Sequence, residues 1–209
     1  MRSLNCRVCM TVVWLLVVPP VSAADPTTEF RSRLGFTLTL PPNWWPLAAD
    51  IVSEKSEGAE EHRELAELDP ETLRVALGRI RSGEYEYCFR QSFSDGFAEN
   101  LTIRRRELRI VDDPEQFREQ CKSVPESFGR AYGRPVTVSA CELRTVAGRP
   151  ASYLELEGAV EGTRVLQYQV RESSGTAIAL TATLRENQLP ETRSEFESIV
   201  RSADFGTSP

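Results

Sequence analysis

Between Val136 and Leu184 the sequence places four alternating apolar runs one after another, separated only by short turn signals. Nothing else in the chain limits its fold as much. Strands joined by such short links must pair antiparallel, because a parallel pair needs a crossover of about a dozen residues or more. The first run is Val136, Val138 and Ala140, and the second sets Leu154 and Leu156 against Tyr153, Glu155 and Glu157. The third sets Leu166, Tyr168 and Val170 against Gln167 and Gln169. The fourth carries Ile178, Leu180, Ala182 and Leu184 on one side and Ala177, Ala179, Thr181 and Thr183 on the other. Small residues on both faces of the fourth run predict a central strand with helices packed on each side.

The segments before the meander supply further strands and the helices. Asp25 to Arg33 is polar and is expected to be a loose arm. Phe36, Leu38 and Leu40 alternate to a stop at Pro41-Pro42-Asn43, and a short helix is expected from Leu47 to Val52. Residues 53–68 are rich in glutamate and poor in large apolar side chains. They are expected to form a mobile acidic insertion with some helix from Glu60 to Leu68. Asp69-Pro70-Glu71 opens a helix whose apolar stripe is Leu73, Ala76, Leu77 and Ile80, stopped by Ser82-Gly83.

Tyr85, Tyr87 and Phe89 alternate with Glu86, Cys88 and Arg90, the pattern of a half-buried strand, and Ser94-Asp95-Gly96 turns the chain. From Asn100 a strand runs through Arg104-Arg105-Arg106. Its apolar parity changes between Ile103 and Leu108, which predicts a bulge or break near Arg105 to Glu107. Asp113-Pro114 caps a helix carrying Phe117, Cys121, Val124 and Phe128, with a break or kink expected at Pro125. Pro190 opens a last helix faced by Phe196, Ile199 and Val200. The expected architecture is α+β: a helix–sheet–helix sandwich around one mainly antiparallel sheet of about six strands.

Met1-Arg2 and Arg7, the apolar run Met10 to Val18, and Val21-Ser22-Ala23 have the layout of a cleaved secretory signal peptide over residues 1–23. Cleavage after Ala23 is expected first and after Ala24 next, with a retained anchor as the alternative. Residues 24–209 then form a single domain, with no stable membrane span. That chain has 23 basic residues against 31 acidic ones, a net charge of −8, a poor surface for nucleic acid. All but Lys55 and Lys122 of its basic residues are arginine, a bias common in GC-rich bacterial genomes. Together these point to a periplasmic or secreted bacterial protein.

Five cysteines need separate treatment. Cys6 and Cys9 form a CxxC inside the signal peptide and carry no functional weight. Export permits one disulfide among Cys88, Cys121 and Cys141. Cys121 is expected to be buried on its helix stripe. Cys88 and Cys141 either pair with each other or are two small core residues, since sequence does not fix connectivity.

The chemistry-bearing residues are few. His62 is the only histidine and sits in the acidic segment, where the rigidity of a catalytic triad is hard to achieve. Glu155 and Glu157 share a strand face about 7 Å apart. That spacing suits either paired-carboxylate hydrolysis or an ordinary exposed face. With Tyr153 they could touch a cation weakly, but no calcium-loop spacing exists and no metal or cofactor is expected. Arg104, Arg106 and Arg109 form a basic patch. It either grips a carboxylate or anionic headgroup or is the charged face of an edge strand. Of the adjacent Trp44 and Trp45, Trp44 is expected to plug the core. Trp45 is either a partly exposed binding aromatic or a second plug.

The stretches GFTLTLPPNWW (residues 35–45), NLTIRRREL with DPEQF (100–108 and 113–117), and residues 168–205 together resemble the PsbP-like superfamily. That group includes photosystem accessory proteins and DcrB-type envelope domains. The resemblance covers most of residues 24–209; the acidic insertion departs from it. It implies the sandwich fold and a non-catalytic accessory role whose partner is another protein or envelope component. Nothing in the sequence points to a photosystem. The expected function is an exported binding module with candidate binding residues Trp45, Arg104 and Arg106; the alternative is a carboxylate-based hydrolase.

Overall fold

The computed structural model describes residues 27–47, 70–90 and 97–206. The expected signal peptide, the expected acidic insertion with His62, the helix expected from Leu47 to Val52 beyond its first residue, and the turn expected at 94–96 lie outside the described residues.

The strands are β1 (Thr28–Arg31), β2 (Thr37–Leu40), β3 (Trp44–Leu47), β4 (Glu86–Arg90), β5 (Asn100–Glu107), β6 (Val138–Val146), β7 (Arg149–Glu157), β8 (Thr163–Arg171) and β9 (Thr176–Arg185). The helices are α1 (Pro70–Arg81), α2 (Pro114–Tyr132) and α3 (Leu189–Arg201). Seven strands form one wholly antiparallel sheet in the order β3-β4-β5-β9-β8-β7-β6, one strand more than expected. The added strand is β3, with Pro46 on the sheet edge, where a missing N–H is tolerated. β9 is the middle strand, as expected, but helices do not pack on both its faces: α3 covers one, and the other lies between α1, which packs on β4, and α2, which packs on β6.

The expected loose arm is in fact ordered. Thr28–Arg31 pairs with Leu40–Thr37 as a separate hairpin, β1–β2. Together with α3 this hairpin covers the first face of the sheet. There Phe36, Leu38, Leu40 and Trp44 meet Ile103, Tyr168, Leu180, Phe196 and Ile199 in the main core. α1 packs on β4, and α2 packs on β6, both on the second face. Phe89, Phe117 and Leu156, also expected in the core, are likewise buried.

α2 starts where Asp113 accepts from the backbone N–H groups of Glu115 and Gln116. It ends at Gly133, whose φ of 68° suits glycine. Pro125 does not break it: the helix runs unbroken to Tyr132. Of the bulge or break expected near Arg105 to Glu107, the break is what occurs: the register against β9 is regular from Asn100 and the strand ends at Glu107. The parity change simply marks the end of the strand, and Ile110 is buried from the following loop.

Two other readings of alternation are corrected. All five residues of β4 are buried, because Glu86 is held by Ser32 and Arg33 and Arg90 by acids beneath α3. In β7, Tyr153 and Glu155 are as buried as Leu156, because the strand is covered on both faces.

The cysteines also sort differently. Cys121 bonds to Cys141, with Cα atoms 5.9 Å apart, and Cys88 is a buried free thiol. A Cys88–Cys141 bridge is impossible, since four strands separate β4 from β6. That is roughly 24 Å at the usual strand spacing, against a limit of about 7 Å. Cys121 is half-buried, at the seam between α2 and β6.

Candidate functional site

On the first face, α3 is clamped by ion pairs. Arg90 donates to Glu195 at 2.8 Å, Glu191 at 2.9 Å, Glu99 at 3.2 Å and Gln188 at 3.3 Å. Glu195 also accepts from Asn43 and the Trp44 indole, both at 2.8 Å. Burial pushes the Glu195 carboxyl up, but these hydrogen bonds and the Arg90 charge outweigh it and hold the group below the ordinary value. Glu197 accepts from Arg144 at 3.0 Å and from Tyr168 at 2.7 Å. Burial, then Glu197, pushes the Tyr168 hydroxyl up to about 12. Burial pushes the Cys88 thiol well up, so it is an inert core residue.

Glu155 and Glu157 do not form an exposed acid pair. Glu155 is 5% exposed and takes both nitrogens of Arg193, at 2.6 and 2.7 Å, and the Tyr153 hydroxyl at 3.0 Å. Glu157 accepts from Arg134 and from the Thr137 backbone. Each acid is tied to its own arginine, so the hydrolase alternative loses its carboxylates. Among the described residues no group of three or more His, Cys, Asp or Glu is placed to hold a metal ion.

The second face is different in character. α1 stands at one side and α2 at the other, and between them lie β5, β9 and β8. Cross-strand partners share a face. The register therefore puts Thr102, Arg104 and Arg106 of β5 on the same side as Ala177, Ala179 and Thr181 of β9 and as Gln167 and Gln169 of β8. Arg104 and Arg106 are two residues apart on one strand, about 7 Å. β5 is the third of seven strands, so the edge-strand explanation of these arginines does not hold.

Arg104 donates to the Tyr85 hydroxyl, and its guanidinium lies 5.1 Å from the centre of that ring. Arg79 of α1 lies 5.2 Å from the same ring. Among the described residues neither Arg104 nor Arg106 meets a carboxylate within 4 Å, and Arg106 makes no hydrogen bond. Burial, and then the charge of Arg104, lowers the pKa of Arg106. Arg109, grouped with them by sequence, is exposed beyond the end of β5.

Arg106 opens into a groove of about 140 Å³ under α2, walled by Phe117, Val124 and Phe128 and floored by Ser152, Gln167 and Gln169. The floor is internally satisfied: Ser152 donates to Gln169 at 3.1 Å, Gln169 to Gln167 at 2.8 Å, and Gln167 to Thr181 at 2.7 Å. Cys141 lines the same groove, so the disulfide fixes its wall.

Trp45 and Trp44 point to opposite sides of β3, as neighbours on a strand must. Trp44 is 2% exposed in the main core, the expected plug. Trp45 is half-buried, 5.5 Å from the Phe89 ring, and its indole N–H has no hydrogen-bond partner among the described residues. It lies by α1 and is not brought to the Arg106 groove. Sequence reading missed the glutamine floor and the α2 wall. Their one signal was Gln167 and Gln169 alternating within an apolar strand.

The seven-stranded sheet and its two covering layers define an α+β sandwich of PsbP-like fold. Among solved structures, cyanobacterial PsbP from Synechocystis sp. PCC 6803 is similar at 15% identity and a TM-score of 0.51, over 90% of this chain and 96% of that one. LpqN of Mycobacterium tuberculosis, described as involved in cell envelope biogenesis, is similar at 14% identity and a TM-score of 0.47, over 87% and 86%. The Saccharomyces cerevisiae Ran-binding protein Mog1p is similar at 12% identity and a TM-score of 0.43, over 87% and 96%. At these identities the likeness is one of fold. No family model matches the chain, and no curated protein matches it in sequence.

Proposed function

We propose that the chain is an exported, non-catalytic binding module of the bacterial envelope, and that it recognises its partner through the trough between α1 and α2. One observation carries the choice of surface: two neighbouring, half-buried guanidiniums without a carboxylate. Elsewhere among the described residues six buried or half-buried arginines do meet an acid, namely Arg90, Arg134, Arg144, Arg164, Arg171 and Arg193. A half-buried cation left without an acid is costly, so its retention favours a role for it. The signal-peptide pattern supports export, and the ion-paired state of Glu155 and Glu157 supports binding over catalysis.

Two measurements test this reading. Mass spectrometry of the exported protein should find Ala24 or Asp25 at the N-terminus; an intact Met1 in a membrane fraction refutes export with cleavage. Capture of an envelope component should be abolished by Arg104→Gln/Arg106→Gln and kept by the exposed control Arg81→Gln. Equal capture by both variants refutes the surface assignment.

A further inference from the structure

We propose that the groove under α2 binds a small oxyanion bearing a short apolar group, with Arg106 taking the oxyanion and Phe117, Val124 and Phe128 taking the apolar end. This rests on the reading of the trough as the binding surface and names the chemistry of its occupant.

Charge complementarity selects the head group. A guanidinium presents five N–H donors in a planar fork that matches a carboxylate or phosphate bidentately. The Arg106 fork meets no acceptor among the described residues. Its neighbours in the groove do not supply one: the oxygens of Gln167 and Gln169 accept from Gln169 and Ser152, and neither is hydrogen-bonded to Arg106. Arg104, about 7 Å along the strand, adds a second positive charge and so favours an anion over a neutral polar group.

The opposite wall selects the rest of the ligand. Phe117 is buried, and Val124 and Phe128 are half-buried along one stripe of α2 facing the sheet. An inorganic anion would satisfy Arg106 and leave this apolar wall wet. A volume of about 140 Å³ is well under the 300 Å³ or so at which pockets begin to hold drug-sized molecules. The apolar part is therefore short, a few carbons, or is the end of a longer group that leaves by the open side. The Cys121–Cys141 bond joins the wall helix to the edge strand, so the groove is held at one width before ligand arrives.

The test is titration calorimetry on the purified protein with hexanoate, hexyl phosphate, acetate, inorganic phosphate and hexanol as separate probes. Saturable binding of hexanoate or hexyl phosphate is expected, whichever is tighter identifying the head group. Acetate, inorganic phosphate and hexanol should bind at least tenfold more weakly. Arg106→Gln, which removes an unpaired charge and leaves the ion pairs of the described residues intact, should lower affinity for the hexyl anion at least tenfold. Val124→Ser should lower it while sparing whatever weak acetate binding exists. The inference is overturned if neither hexyl anion binds, if hexanol binds as well as either, or if Arg106→Gln binds like the parent. Failure of both hexyl anions, with capture of the envelope component still dependent on Arg104 and Arg106, removes this inference and leaves the binding-module reading standing. Failure of both experiments removes both.

Discussion

Arg90→Met isolates what the ion-pair clamp under α3 contributes. The change keeps much of the aliphatic stem and removes one charge with five hydrogen bonds to four side chains. It strands two carboxylates that water cannot easily reach. The Glu99 side chain is 1% exposed and the Glu195 side chain 17%. Glu99 keeps one other bond, from the Arg185 backbone at 2.9 Å, and Glu195 keeps Asn43 and Trp44. Breaking a buried pair by removing one partner costs about 3–5 kcal/mol, mostly from the uncompensated charge left behind. With a urea m-value of about 1–3 kcal/mol per molar, the unfolding midpoint should fall by at least 1 M or so.

Trp44 fluorescence is a suitable probe, because its indole is bonded to Glu195. Glu191→Gln is the internal control: that side chain is 72% exposed, and its loss should cost under about 1 kcal/mol. Adding Glu99→Gln and Glu195→Gln to Arg90→Met should recover much of the deficit, since the stranded charges are then gone. A loss below about 1 kcal/mol for Arg90→Met, or one no larger than that of Glu191→Gln, would refute the claim that the charge is buried and shared as described.

Phe196→Ala, at the centre of the main core, should cost about 3–5 kcal/mol in the same urea assay, and a loss below about 1 kcal/mol would mean that α3 is not docked on the sheet. Thiol counting on residues 24–209, denatured without reductant, should find one free group, Cys88, with peptide mapping joining Cys121 to Cys141; three free groups would refute the bridge. Because the disulfide closes a 20-residue separation and Phe117 is the only buried residue of α2, Cys121→Ser/Cys141→Ser should lower stability by about 3 kcal/mol. Glu195 has a depressed folded-state pKa, so its contribution is fully present above the ordinary glutamate value of about 4.3 and is lost as pH falls through the lower folded value. Glu195→Gln should therefore be less stable than the parent near neutral pH, with a flatter acid limb; parallel pH profiles for the two proteins would contradict this.

Local pattern was sufficient for the elements that obey one periodicity. Each strand of the meander from Val136 to Leu184, the capped start of α2, and the apolar stripe of α3 is written in a window of about ten residues. So is the opposite orientation of Trp44 and Trp45, which follows from strand geometry alone. The small residues of β9 told even its central rank in the sheet, although α3 covers one of its faces and the other lies between α1 and α2.

What tertiary structure alone decided were the relations between distant segments. Glu86, Arg90 and Glu155 have the composition of exposed positions. They are buried because Ser32, Glu195 and Arg193 arrive from elsewhere in the chain, and no periodicity encodes that arrival. Strand order chose Cys121–Cys141 over Cys88–Cys141, since β4 and β6 lie on opposite sides of β9. The same order moved Arg104 and Arg106 from a supposed edge to the interior of the sheet, where partial burial gives an unpaired charge its cost. The sequence named those two arginines as an anion site or a charged edge. It could not choose, because a guanidinium looks the same in sequence whether its counter-ion is a nearby glutamate, water, or a ligand yet to bind.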